Sequence, residues 1–135
     1  MATISKFEDL EIWQMARLQT NDFDWLVTNT LLAKDYELRN QMNASSGSVM
    51  DNIAEGFERS GNNEFKHFLV IAKGSNGEYR SQLYRCLDRK YISTDKFEEL
   101  LAKNNKIGNK IMSFINYLQH STFKGQSRKP KDAAT

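Results

Sequence analysis

The chain holds one cysteine, Cys86, and one proline, Pro130, among 135 residues. A single cysteine excludes an internal disulfide and any cysteine-based zinc cluster. With its proline in the tail, the body of the chain lacks the residue that most strongly breaks helices. Long apolar runs are absent too: the longest, "FLVIA" (68–72), has five residues, against the roughly 20 that span a bilayer. The opening "MATISKFEDL" has no basic region followed by an apolar stretch, so no secretory signal is expected. The expected location is cytoplasmic. Histidine is scarce. His67 and His120 have no carboxylate or second histidine three or four residues further on, and the paired Glu-x-x-His helices of di-iron bundles are not expected. No Gly-rich phosphate loop, Gly-x-Ser-x-Gly elbow or His-Glu-x-x-His helix occurs. Paired acids such as Glu98-Glu99 or Asp22 and Asp24 read as solvated helix faces. The sequence therefore predicts no enzyme, no metal and no cofactor.

What is present is an ordinary globular composition, 39% hydrophobic and 27% charged, with length for one domain and one core. The net charge of +2 hides a polarity. Residues 1–64 hold five Lys/Arg against eleven Asp/Glu, a balance of −6. Residues 65–123 hold ten basic and five acidic residues, or +5, and the last twelve hold four and one, or +3. Such a split favours self-assembly, acidic half against basic half, or binding of a polyanion by the second half.

Apolar residues recur at three and four almost throughout, so four helices are expected. The first should open at the capping box Ser5-x-x-Glu8 and run to about Leu32. Leu10, Trp13, Ala16, Thr20, Phe23 and Val27 form its inner face, with Ile12, Met15 and Leu26 beside it. That sector is broad, which suggests contacts beyond one core. A second helix should span about Tyr36 to Phe57. Its poor helix formers "NASSGSV" read as a close-contact face through Ala44, Ser45, Gly47 and Ser48, with a loop at 44–48 as the rival. A third runs from Phe65 to about Arg89, with a weakness or kink at "AKGSNGE" (72–78), where Asn76-Gly77 is a turn signal. A fourth runs from about Thr94 to His120. Cys86 lies on the core face of the third helix, as a small hydrophobe. The fold class is all-α, an antiparallel up-down-up-down four-helix bundle over residues 1–123. Residues 124–135 form a basic tail with no apolar face, read as disordered.

The basic residues are ordered. Lys66, Lys73 and Arg80 recur every seven residues on the third helix, and Lys96, Lys103 and Lys110 on the fourth, with Lys106 one turn from its neighbours. Each step is about 10.5 Å by helix rise. Two such lines on consecutive helices, with Arg128 and Lys129 in the tail, are a candidate strip for a phosphate backbone. The alternative is plain solvation of helix faces.

"FEDLEIWQMA", "SVMDNIAEGFERS" and "EFKHFLVIAKGSNGE", in that order, closely resemble the four-helix-bundle proteins related to the one encoded by intervening sequences in bacterial 23S ribosomal RNA genes. The resemblance covers about residues 5–120. It implies a bundle that assembles as a ring-like homopentamer, is often labelled a ribosomal protein, is associated with nucleic acid and has no established catalytic activity. Matched to the family's motifs, Asn52, Glu55 and Gly56 close the second helix, and Gly74, Ser75 and Glu78 belong to the third. Gly56 reads as a helix C-cap, with Glu55 and Arg59 near enough to pair across the corner. Asn76 and Gly77 depart from the family, where a leucine-like residue and a small helix former are usual. A more distant similarity is to the bundle-shaped accessory protein of retroelement reverse transcriptases. Two functions follow as expectations: an oligomeric bundle binding RNA or single-stranded DNA, or an adaptor for another protein.

Overall fold

A computed structural model describes residues 3–120. Four helices occupy nearly all of that span: α1 (Glu11–Asn29), α2 (Tyr36–Glu58), α3 (Asn62–Asp88) and α4 (Thr94–His120). Short 3-10 turns at Phe7–Asp9 and Leu31–Lys34 precede and follow α1. Pairings between helices run in opposite directions along three seams, α2–α3, α3–α4 and α1–α4. Gln41, Ser45 and Ser48 of α2 meet Arg85, Gln82 and Ser75 of α3. Phe65, Asn76 and Tyr84 of α3 meet Phe114, Asn104 and Phe97 of α4. Glu11 and Asp22 of α1 meet Lys110 and Lys103 of α4. The result is an up-down-up-down antiparallel bundle.

The first helix is shorter than its pattern suggests. Ser5 forms no cap: Leu10, with φ −73° and ψ 126°, is extended and separates the first 3-10 turn from α1. At the other end Thr30 stops the helix with φ −135° and ψ 171°. Its hydroxyl donates to the Leu26 carbonyl at 2.6 Å and accepts from the Leu32 N–H at 3.1 Å. One side chain thus satisfies groups on both sides of the break. The inner face is also rotated from the expected one. Gln19 is buried where Thr20 was expected, and the half-buried Thr20 donates back to the Arg17 carbonyl.

Asp35 caps α2 by accepting from the Leu38 N–H at 3.3 Å. The stretch 44–48 is helical, not a loop. Ser45 and Ser46 are buried and turn their hydroxyls onto the Met42 carbonyl at 3.3 and 2.8 Å, so neither is a lost polar group. Ala44, expected in the contact face, is exposed, and Ser46 takes the inward place. Gly56 is not a C-cap. The helix continues to Glu58, and the left-handed residue is Gly61, with φ +91°. A Cβ on Gly56 would lie 2.8 Å from Phe68 Cβ and 3.3 Å from the Phe65 carbonyl oxygen. Its glycine lets α3 approach α2 at the corner.

No break interrupts α3 at Asn76-Gly77. A turn pair needs strands beside it to close a hairpin, and here Asn76 is held inward by partners on two other helices. Ser93 accepts from the Lys96 N–H at 3.1 Å to open α4. The core has two apolar halves. One gathers Trp13, Ile53, Phe57, Phe65 and Ile111, and the other Leu26, Met42, Tyr79, Leu83 and Phe97. Between them lies a polar layer. Gln19 donates to Asn76 Oδ1 at 3.0 Å, and Asn104 donates to Gln19 Oε1 at 2.9 Å and to the Asn76 carbonyl at 3.1 Å. Gly108 sits against the Asn76 amide, where a Cβ would be 3.3 Å from Nδ2.

Candidate nucleic-acid interface

The seven-residue spacing does keep each basic line on one side of its helix, but the two lines lie on different seams. On α4, Lys103 stands 3.7 Å from Asp22 of α1 and 3.7 Å from Glu99. Lys110 pairs with Glu11 of α1 at 3.0 Å. Lys96 pairs with Glu99 at 3.1 Å and lies over the Trp25 ring of α1, 4.1 Å from its centroid. This line is turned toward α1. The side of α4 that meets α3 carries Asn105 instead, two residues and about 200° around the helix from Lys103. Arg80 of α3 reaches Asn105 Oδ1 at 3.0 Å.

The charge balance of the two lines differs accordingly. Asp22, Glu99 and Glu11 offset the α4 line. Burial raises the Asp22 pKa despite the nearby lysines, while the Lys96 hydrogen bond lowers that of Glu99. Lys66 and Lys73 of α3 and Lys106 of α4 have no ion-pair partner among the described residues, and Arg80 bonds only a neutral amide. Lys73, Arg80 and Lys106 are exposed, and Lys66 is half-buried. Arg128 and Lys129 lie outside the described residues. The outward face beside the α3 line is uncharged at its centre. Val70 is 57% exposed, Ile71 is exposed as well, and Gly74 and Gly77 carry no side chain and have open space where one would be.

Several of the motif residues make contacts within α2 or across to α3. Asn52 Nδ2 donates to the Ser48 carbonyl and hydroxyl at 2.8 and 2.9 Å, and Ser48 shares a 2.7 Å hydrogen bond with Ser75. Arg59 pairs with Glu55 at 2.7 Å and lies over the Phe68 ring. Glu78 is exposed. A second latch joins the start of α2 to the α3–α4 connection, where Asp35 accepts from Arg89 and from the Tyr91 hydroxyl. The Tyr91 bond above all lowers the Asp35 pKa.

Cys86 is buried beside Met42, and burial pushes its thiol up to about 11. Glu64 stands three residues before the exposed His67, so one Glu-x-x-His spacing does occur. No group of three potential ligands gathers among the described residues. Nor is any described helix long and apolar enough to cross a membrane.

A family model, the 23S rRNA-intervening sequence protein, matches residues 8–113. The chain belongs to this family. A solved crystal structure, that of a protein of unknown function from the S23 ribosomal protein family of Bacteroides thetaiotaomicron, superposes with a TM-score of 0.66 at 22% identity. The match covers 77% of this chain and 94% of that one. At that identity the likeness speaks for the fold. No curated protein matches the chain.

Proposed function

We propose that this family member is a non-catalytic, oligomeric bundle that binds RNA or single-stranded DNA through the cations of α3. The observation that carries the reading is the line Lys66, Lys73 and Arg80, whose charges no acidic side chain offsets among the described residues. Uncompensated cations at a regular step attract phosphates and release counterions on binding. The α4 line contributes mainly Lys106, because its neighbours face acids of the same subunit. Fluorescence anisotropy with structured RNA and single-stranded DNA tests this. Binding should weaken with salt at a log–log slope of about −0.7 to −0.9 per phosphate contact. No binding at low salt by the intact assembly refutes it.

Self-assembly belongs to the same proposal. The opposite charges of α1 and α4 meet within one subunit, so they are poor candidates for the contact between subunits. The outer face of α3 suits it better: Val70 and Ile71 are exposed beside two glycines that admit a close neighbour. A contact between unlike faces closes into a ring or runs on into a filament, and the family resemblance favours a ring of five. A second reading, an adaptor for another protein, is favoured by the same apolar face and by Leu18 and Trp25 on α1, 61% and 43% exposed. Proteins that co-purify and stay bound after nuclease treatment would favour the adaptor.

A further inference from the structure

Of the neighbouring helices, α1 and α4 make the sparsest contact. Between them opens a cavity of about 310 Å³, lined by Met15, Leu18, Gln19, Asn21, Asp22, Lys103, Lys106 and Ile107. That volume is at the lower end of the range for ligand sites, roughly 300–1,000 Å³. It admits one small molecule, not a helix. Its floor is fixed: Gln19 is only 4% exposed and is held at both ends of its amide by Asn76 and Asn104. Met15, Leu18 and Ile107 supply apolar surface. Asp22 supplies a carboxylate whose contact with Lys103, at 3.7 Å, is longer than a hydrogen bond. Lys106 has no ion-pair partner among the described residues, and with Lys103 it gives the cavity two ammonium groups.

We propose that this cavity binds one guanine nucleotide unit, its base against Met15, Leu18 and Ile107 and its phosphate on Lys106. The inference rests on the nucleic-acid reading above and extends it to a single unstacked base. A flat heterocycle suits apolar walls, and RNA-binding proteins commonly take unstacked bases by stacking and by hydrogen bonds to their edges. The carboxylate selects among bases. Guanine offers two adjacent N–H donors on its Watson–Crick edge, which match the two oxygens of Asp22. Adenine and cytosine offer a donor beside an acceptor there, and uracil one donor between two acceptors. Lys103 stands 3.7 Å from both Asp22 and Glu99, so it can stay with Glu99 while the base donors take its place beside Asp22.

The test is a titration of the full-length, methyl-labelled protein with guanosine 5′-monophosphate, adenosine 5′-monophosphate and a ten-nucleotide single-stranded RNA. Guanosine monophosphate should shift the methyl signals of Met15, Leu18 and Ile107 and bind about tenfold tighter than the adenosine form, within the range of one bidentate base contact. Asp22→Asn, which keeps the volume, should erase that preference, and Lys106→Ala should weaken the nucleotide but not guanosine. Ile107→Trp, checked for native helix content, should block the methyl shifts. Equal binding of both nucleotides, or unmoved methyl signals at millimolar guanosine monophosphate, overturns the proposal. RNA binding with those methyls unmoved would sink the site and leave the nucleic-acid reading standing. Methyl shifts with the mononucleotide and no RNA binding would do the reverse.

Discussion

Asn104 of α4 donates a 2.9 Å hydrogen bond to Gln19 of α1, across 85 residues of chain and in the middle of the core. Asn76 of α3 completes the set, so three helices are tied by three amides at one level. Apolar contacts tolerate small slips along a helix axis, whereas amide pairs of fixed geometry do not. The layer therefore sets the register of α1, α3 and α4. It is not fully satisfied, since Asn104 Oδ1 is buried with no hydrogen-bond partner among the described residues.

Removing one amide should cost more than removing all three. Asn104→Ala strips Gln19 and Asn76 of partners in a dry setting, and each stranded buried group costs about 1–3 kcal/mol. A loss of about 3 kcal/mol in urea unfolding is expected. The combined variant Gln19→Leu, Asn76→Leu, Asn104→Leu should fall much less, or gain, because no donor is left stranded. If the triple variant loses about the sum of the single ones, the layer is not a coupled network.

Most of the fold was legible in the sequence, because four apolar stripes at helical spacing leave few other ways to bury a core. The extent of α4 and the start of α2 were read to the residue. What escaped were features that depend on a partner elsewhere in the chain. Asn76 looked like a turn residue because a local reading cannot see Gln19 and Asn104 beside it. Its signal was there: an amide falls at core spacing in three of the four helices, Gln19 after Ala16, Asn76 after Ala72 and Asn104 after Leu100. The two lysine lines were legible as lines, but which seam each faced depended on how α4 was rotated against α1. Gly56 read as a cap because a glycine near a helix end usually is one; the tight approach of Phe65 and Phe68 was invisible.

The glycines should separate by position. Gly56→Ala sets a Cβ 2.8 Å from Phe68 Cβ, with the Phe65 backbone also close, and overpacking of this kind costs about 1–3 kcal/mol. Gly74→Ala and Gly77→Ala meet nothing within 4 Å and should raise subunit stability by up to about 1 kcal/mol each, the helix preference of alanine over glycine. The same two changes thicken the outer face of α3. Sedimentation should then show a lighter or weaker assembly from a more stable subunit. Unchanged assembly would place the contact elsewhere.

Two acids should respond to pH in opposite senses. Asp35 has its pKa lowered by the Tyr91 hydroxyl, the Leu38 N–H and Arg89. Its contribution is present above the unfolded value of about 3.9 and is lost as pH falls through the folded one. Asp22 has its pKa raised by burial, so its charge opposes folding at neutral pH and protonation relieves the strain. Asp35→Asn should destabilise at pH 7 and lose that effect in acid. Asp22→Asn should stabilise at pH 7 and match the parent at low pH. Urea midpoints between pH 3 and 7 decide it.

The two basic lines should differ in what they bind. Lys73 and Lys110 are both exposed lysines with heptad neighbours, but only Lys110 has an acid in place, Glu11 at 3.0 Å. A phosphate that approaches Lys110 must compete with that carboxylate, while at Lys73 it meets an uncompensated charge. Lys73→Ala should therefore weaken binding to RNA of any sequence and flatten the log–log salt slope by about one contact's worth. Lys110→Ala should leave both nearly unchanged. Its cost to stability should stay within the 0–1 kcal/mol typical of an exposed pair. Glu11→Gln sharpens the comparison, since it frees Lys110 without altering the bundle. That variant should bind RNA more tightly than the parent and steepen the slope. Equal losses from Lys73→Ala and Lys110→Ala would mean that phosphates follow both seams and that intramolecular pairing does not decide which lysines bind.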